Sequence, residues 1–220
     1  MIIRQSGGLS MVCITREDKI KALRENTPTI FAPNCWGGIT YHKLGLEFCS
    51  PLINMHERHD DYLKFLENPK YYLDQELQLS QMYQDQTLER PFPVVKLGDI
   101  YLWMNHYKDF AEAAAAWERR KARIKWDNLF VMFFDEDPSR VERFLRLPYD
   151  KKICFVPWET QTKELITVPF DQVHYPKTNY PFWEVINNMA MGIFNLYDDV
   201  ELIFDGKYVK TGNLDYNIIN

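Results

Sequence analysis

No run of hydrophobic residues in this chain approaches the ~18 that a membrane-spanning helix needs. The opening stretch, MIIRQSGGLSMVCITREDK, is only briefly apolar before it meets charge, so it does not read as a secretory signal. There is no P-loop, no GxGxxG fingerprint, no GxSxG elbow and no protein-kinase set, which removes the commonest nucleotide and serine-hydrolase chemistries. Cysteine is sparse. Cys13, Cys35, Cys49 and Cys154 form no CxxC pair and no disulfide framework, so free thiols in a reducing cytoplasm are expected. Positive charge is also short: 26 Lys and Arg face 31 Asp and Glu, for a net charge of −5, which argues against a nucleic-acid partner.

What is present is a well-filled globular composition. Hydrophobic residues are 46% of 220 and aromatics 15%, enough for one domain with a sizeable core and for rings lining a groove. Residues 1–27 read as a leader and a short helix (16–26), with Met11 as a second candidate start and residues 1–10 as a disordered leader. Residues 28–220 read as a single domain. TPTIFAP is a strand buried on both faces, and residues 34–50 form a loop or short helix with turns at Gly37-Gly38 and Gly45. DDYLKFLENPKYYLDQEL is helical, capped by Asp60 or Asp61 and restarted at Pro69.

LSQMYQD, FPVVKLGD and IYLWMNHY read as strands, the last two joined at Gly98-Asp99. KDFAEAAAAWERRKARIK is the clearest helix, capped by Asp109. NLFVMFFDED is a buried strand and DPSRVERFLRL a helix capped by Asp137. KKICFVPW, ELITVPFD and QVHYPK are further strands. A helix over 180–199 and a closing hairpin turning at Asp205-Gly206 complete the chain. Strands alternating with helices give an α/β class with a mixed, mostly parallel sheet and antiparallel edge hairpins.

In such folds ligands gather beyond the carboxyl ends of strands, which is where the loop NCWGG follows TPTIFAP. Cys35 is either a nucleophile or a buried structural thiol. Asn34 and the N–H groups at Gly37 and Gly38 could serve an oxyanion. His106, at the end of a ring-rich strand, suits general acid/base work or a place in the core. Trp117, Arg120 and Arg123 share helical faces, and Arg forks suit phosphates or carboxylates; the alternative is a solvated charged face. His56 and His59 in HERHDD have a spacing open to a metal but read better as a helix start. Asp135, Glu136 and Asp137 form an acidic triplet at a strand end, suited to a metal and a sugar diphosphate or to helix capping.

Several segments in order carry a resemblance: NCWGGITYHKLGLEFCSPLINM, DDYLKFLENPKYYLDQEL, FPVVKLGDIYLWMNHY, EAAAAWERRKARI and NLFVMFF. Together they resemble the bacterial domain-of-unknown-function family 1919, whose members are often labelled exopolysaccharide or capsule biosynthesis proteins. The resemblance spans roughly residues 28–205. It implies a single Rossmann-like three-layer α/β sandwich and a cytoplasmic setting beside glycosyltransferases. The family's motif positions fall on Asn34, Cys35, Trp36, Gly37, Gly38, Tyr41, Pro51, Asn54, Asp99, His106, Tyr107, Trp117, Arg120 and Arg123. Pro33 stands where the family usually has another Asn.

The expected function is therefore surface-polysaccharide biosynthesis, by transfer of an acyl (acetyl) group to a sugar hydroxyl. His106 would be the base, Cys35 an acyl carrier or a wall of the site, and Asn34 an oxyanion donor. Trp36, Gly37, Gly38, Tyr41, Asn54, Asp99, Tyr107, Trp117, Arg120 and Arg123 would line the substrate, with the two arginines on coenzyme A or lipid-diphosphate phosphates. No metal is assigned to that site. A coenzyme A thioester is the candidate donor, and the acceptor is a sugar or polysaccharide, free or lipid-linked. With no transmembrane segment, contact with membrane-bound assembly enzymes would be peripheral. Two alternatives remain: a glycosyltransferase holding a metal and nucleotide-sugar on Asp135–Asp137, and a non-catalytic partner of an assembly complex, for which Cys35 and His106 would be buried and far apart.

Overall fold

The computed structural model describes residues 14–168, 181–193 and 196–211. The leader and the strand expected at 172–177 lie outside the described residues. In chain order the elements are α1 (Arg16–Glu25), β1 (Thr29–Phe31), α2 (Trp36–Leu44), β2 (His56–Glu57), α3 (His59–Glu67), α4 (Pro69–Leu73), β3 (Leu77–Tyr83), β4 (Phe92–Leu97), β5 (Ile100–Trp103), α5 (Phe110–Lys121), β6 (Leu129–Phe134), α6 (Pro138–Leu145), β7 (Lys152–Val156), β8 (Leu165–Thr167), α7 (Phe182–Met191) and α8 (Asp199–Asp205).

The class is α/β, as the alternation of elements predicts, but the two kinds of pairing do not share one sheet. β1-β6-β7-β8 form a wholly parallel sheet, and β2-β5-β4-β3 a separate antiparallel one. The parallel strands are apolar throughout because both of their faces are covered. Ile30, Phe130, Met132 and Phe155 point to a core shared with α2, α7 and α8. Phe31, Val131, Phe133 and Cys154 point to a second core shared with α3, α5, α6 and the antiparallel sheet. Each fully buried aliphatic or aromatic side chain contributes about 1.5–3 kcal/mol, so the two cores fix the three-layer order.

Three local readings are corrected. Gly37 and Gly38 are not a turn; they lie in the first turn of α2, where a Cβ on Gly37 would sit 3.2 Å from the Ala32 Cβ. Glycine here lets the helix press against the end of β1. Neither Asp60 nor Asp61 caps α3: the cap position is Arg58, and Asp61 instead accepts the Tyr101 N–H at 3.3 Å. Residues 199–205 are helix rather than hairpin. The Asp198 carboxylate takes the N–H groups of Val200 and Glu201, and Gly206 ends the turn in the left-handed region. The cap outweighs the strand-like apolar pattern of that stretch.

Candidate functional site

β1 ends where the two sheets meet. On one side its neighbour is β6. On the other, the Pro33 carbonyl accepts the Glu57 N–H at 3.1 Å and ties β2 to it. Asn34 and Cys35 leave the strand into this crevice. Cys35 occupies the cap position of α2 but makes no side-chain capping bond, so its thiol is available. Its Sγ lies 3.2 Å from the Nε2 of His106, 71 residues further along the chain.

His106 is held from several sides. Its N–H reaches the Asn54 carbonyl at 3.4 Å, and Asn54 sits in the left-handed region at φ 64°. The Tyr107 hydroxyl donates to the Ile53 carbonyl at 2.8 Å. Arg120 donates to that carbonyl at 3.3 Å and to the Tyr107 hydroxyl. The loop carrying Asn54 is therefore clamped by α5, and through it the imidazole backbone is fixed.

Burial pushes the Cys35 thiol above its ordinary range, and the nearby Glu57 adds to the shift. Partial desolvation pushes His106 down, and Arg90 adds to it. Both directions favour neutral forms, so at neutral pH the pair rests as a thiol beside an imidazole, not as a thiolate–imidazolium ion pair. Such a pair acts by general base catalysis, the imidazole taking the proton as sulfur attacks.

Asn34 is also part of the site. Its Oδ1 accepts the Trp36 N–H at 3.1 Å, while its Nδ2 is buried with no hydrogen-bond partner. The first-turn N–H groups of Gly37 and Gly38 point from the same helix end, where an α-helix cannot satisfy them itself. Trp36 and Tyr41, also expected to line the ligand, have structural partners. Trp36 is fully buried against Phe130, and its Nε1 donates to the Tyr197 hydroxyl at 2.8 Å. Tyr41 donates to the Pro28 carbonyl and accepts the Ile30 N–H. Trp117 is fully buried.

The phosphate role foreseen for Arg120, in α5, and Arg123, just after it, is not what their contacts support. Arg120 is 7% exposed and committed to Ile53 and Tyr107. Arg123 pairs with Glu47 at 3.2 Å and donates to the Phe48 carbonyl. Asp99 lies in the β4–β5 turn, bonded to Lys64 at 2.8 Å and to the Tyr72 hydroxyl at 2.7 Å.

The acidic triplet is likewise committed. Asp135 accepts from His59 Nδ1 at 2.7 Å, from Arg140 at 2.6 and 2.9 Å, and from the Asp137 N–H. Burial alone would push this carboxyl up; those donors outweigh it and hold it well below the usual range. Asp137 caps α6 through Ser139 and pairs with Arg140. His56 and His59 diverge: His56 stacks on Trp103, while His59 spans from the β2 side to Asp135 at the end of β6.

Sequence reasoning missed Glu57. It is 5% exposed, and neither carboxyl oxygen has a hydrogen-bond partner. The only signal was alternation in His56-Glu57-Arg58, which sends the middle residue inward, and a two-residue strand is too short to read that way.

Beside this edge lies a shallow cleft lined by Arg58, Ser80, Gln81, Tyr101 and Trp103, among others. Trp103 pairs with His56 across the β2–β5 ladder, and Arg58 stacks on the Trp103 ring at 5.2 Å. Among the described residues no helix is long and apolar enough to cross a membrane.

Over 130 residues the chain is 35% identical to an uncharacterized protein of Haemophilus influenzae, an alignment covering 58% of this chain and 60% of that relative. The chain thus matches about three-fifths of the relative's length. Residues 10–201, which include both halves of the Cys35–His106 pair, match the family described as "Domain of unknown function (DUF1919)", and the chain belongs to that family.

Proposed function

We propose that this chain transfers an acyl group to a sugar hydroxyl through a thioester on Cys35, as a step in surface-polysaccharide biosynthesis in the cytoplasm. The observation that carries the reading is the 3.2 Å contact between the Cys35 sulfur and His106 Nε2. A non-catalytic role would not require these two side chains to meet.

In the first half-reaction His106 takes the thiol proton as sulfur attacks the donor carbonyl. A carbon–sulfur bond forms, the oxyanion receives the Asn34 amide N–H, and collapse expels the donor's thiolate, which takes the proton from His106. In the second, the sugar oxygen attacks the thioester while His106 takes the hydroxyl proton. The carbon–oxygen bond forms, the carbon–sulfur bond breaks, and His106 returns the proton to sulfur.

A coenzyme A thioester is the donor this chemistry suits. Its phosphates would meet Arg58 and Arg90, which have no salt-bridge partner among the described residues, rather than Arg120 and Arg123. The cleft with Tyr101 and Trp103 offers ring surface and polar groups to a sugar, free or lipid-linked. The polysaccharide setting, and with it peripheral contact with membrane-bound assembly enzymes, rests on the resemblance in sequence.

Incubation with acetyl coenzyme A or p-nitrophenyl acetate should give one acetyl group per chain by intact mass, on Cys35 and labile to hydroxylamine. Cys35→Ala should give none. An adduct of equal yield in Cys35→Ala, or none in the wild type with either donor, contradicts the reading.

A further inference from the structure

Glu57 has no role in the chemistry so far, and its position is costly. A carboxylate without a partner in a buried site loses far more solvation than one hydrogen bond returns, so the group is held as the neutral acid. Burial pushes it well above the usual carboxylate range, with Asp61 adding. A neutral carboxylic acid carries one O–H donor, and among the described residues nothing accepts from it. Packing does not require the acid here, because an apolar side chain of the same length would fill the same space without the penalty.

The placement gives the acid a use. The Glu57 N–H is bonded at 3.1 Å to the carbonyl of Pro33, two residues before Cys35, so the buried acid sits beside the strand end that carries the thiol. The Nδ2 of Asn34, on the residue before Cys35, is also a buried donor without a partner. Two buried groups with unused donors, Asn34 next to Cys35 in the chain and Glu57 tied to Pro33, are what a developing oxyanion requires: groups already in place, needing no reorganisation during reaction. A carboxylic acid kept neutral by an apolar site so that it can donate is an established catalytic device.

We propose that Glu57 donates a hydrogen bond to the oxyanion formed on Cys35, completing with Asn34 Nδ2 a two-donor oxyanion site. This rests on the thioester reading above. With p-nitrophenyl acetate, the Cys35 sulfur bonds to the carbonyl carbon, the thiol proton goes to His106, and the carbonyl oxygen takes the negative charge. Glu57 and Asn34 donate hydrogen bonds to that oxygen without giving up their protons. Collapse breaks the bond to p-nitrophenolate, which leaves as the anion, and His106 loses its proton to water.

The test is the burst of p-nitrophenolate from wild type, Glu57→Met and Glu57→Gln, with thermal unfolding of each. Glu57→Met removes the donor and should slow the burst about 10²–10³-fold, while its thermal midpoint stays at or above that of the wild type. Glu57→Gln keeps an N–H donor and should recover the burst to within about tenfold of wild type. A Met variant that acylates at the wild-type rate overturns the assignment. So does a Gln variant as slow as Met, or a Met variant that has lost its thermal transition. A wild type with no Cys35-dependent burst fails differently: it removes the thioester itself, and the role of Glu57 with it.

Discussion

Glu57 and Asp135 are both buried carboxyls at strand ends, Glu57 on β2 and tied to Pro33 just after β1, Asp135 just after β6. Asp135 is surrounded by donors: His59, the Arg140 fork and the Asp137 N–H. Glu57 has none. Their acidities move in opposite directions accordingly, Asp135 well down and Glu57 well up. An acid whose oxygens are filled holds elements together; here it latches α3 to the end of β6 and to α6. An acid left empty makes folding harder and is a candidate for a ligand's use. The same contrast separates Asn34, with a free Nδ2, from Arg120, whose contacts clamp the loop beneath His106.

The largest effect that would test this comparison is on stability. Asp135→Asn removes a charge on which His59 and Arg140 converge, and should cost about 3 kcal/mol in denaturant unfolding at neutral pH. The sign with pH follows from the lowered acidity. The stabilisation is complete above the ordinary aspartate value of 3.8 and is lost as pH falls through the lower folded value, so the gap between wild type and variant should close in acid. A gap that is constant with pH would mean the carboxylate is not what the two bases hold.

A smaller effect of opposite sign is expected at Glu57. Below the ordinary glutamate value of 4.5 both folded and unfolded chains keep the proton, so the group is neutral to stability. As pH rises past that value the unfolded chain ionises while the folded one does not, and wild-type stability declines. Glu57→Gln escapes this penalty and should be more stable than wild type at pH 8, the gain vanishing near pH 4. Loss of stability in the Gln variant at pH 8 would show that Glu57 has a partner after all.

Much of the fold could be read in the sequence because its signals are local. Asp109 before the Ala-rich run, Pro69 after Asn68, and the apolar block at 129–134 each fix one element without help from elsewhere. The division into two sheets could not be read, since it depends on which strands find each other across the chain. The closing helix was misread because Val200, Leu202 and Ile203 suit a strand as well as a short buried helix, and Asp198 decided between them.

Of the site, the NCWGG loop and His106 were legible as types at strand ends, but their meeting spans 71 residues. Arg120 and Arg123 looked like ligand residues because a fork that binds phosphate also binds carbonyls and carboxylates, and only the fold shows which partner is in reach. Glu57 and the His59–Asp135 link were invisible for the same reason: burial and partners are long-range properties, and HERHDD reads as an ordinary charged helix start.

The account rests on a neutral thiol activated by His106, and the pH dependence of Cys35 acylation tests it most directly. The burst rate with p-nitrophenyl acetate should rise through an inflection below the ordinary histidine value of 6.5 and then stay level through neutral pH, and His106→Ala should lower that plateau about 10²–10⁴-fold. A rate that climbs only as the free thiol ionises, above the ordinary cysteine value of 9.0, and is the same in His106→Ala would contradict it.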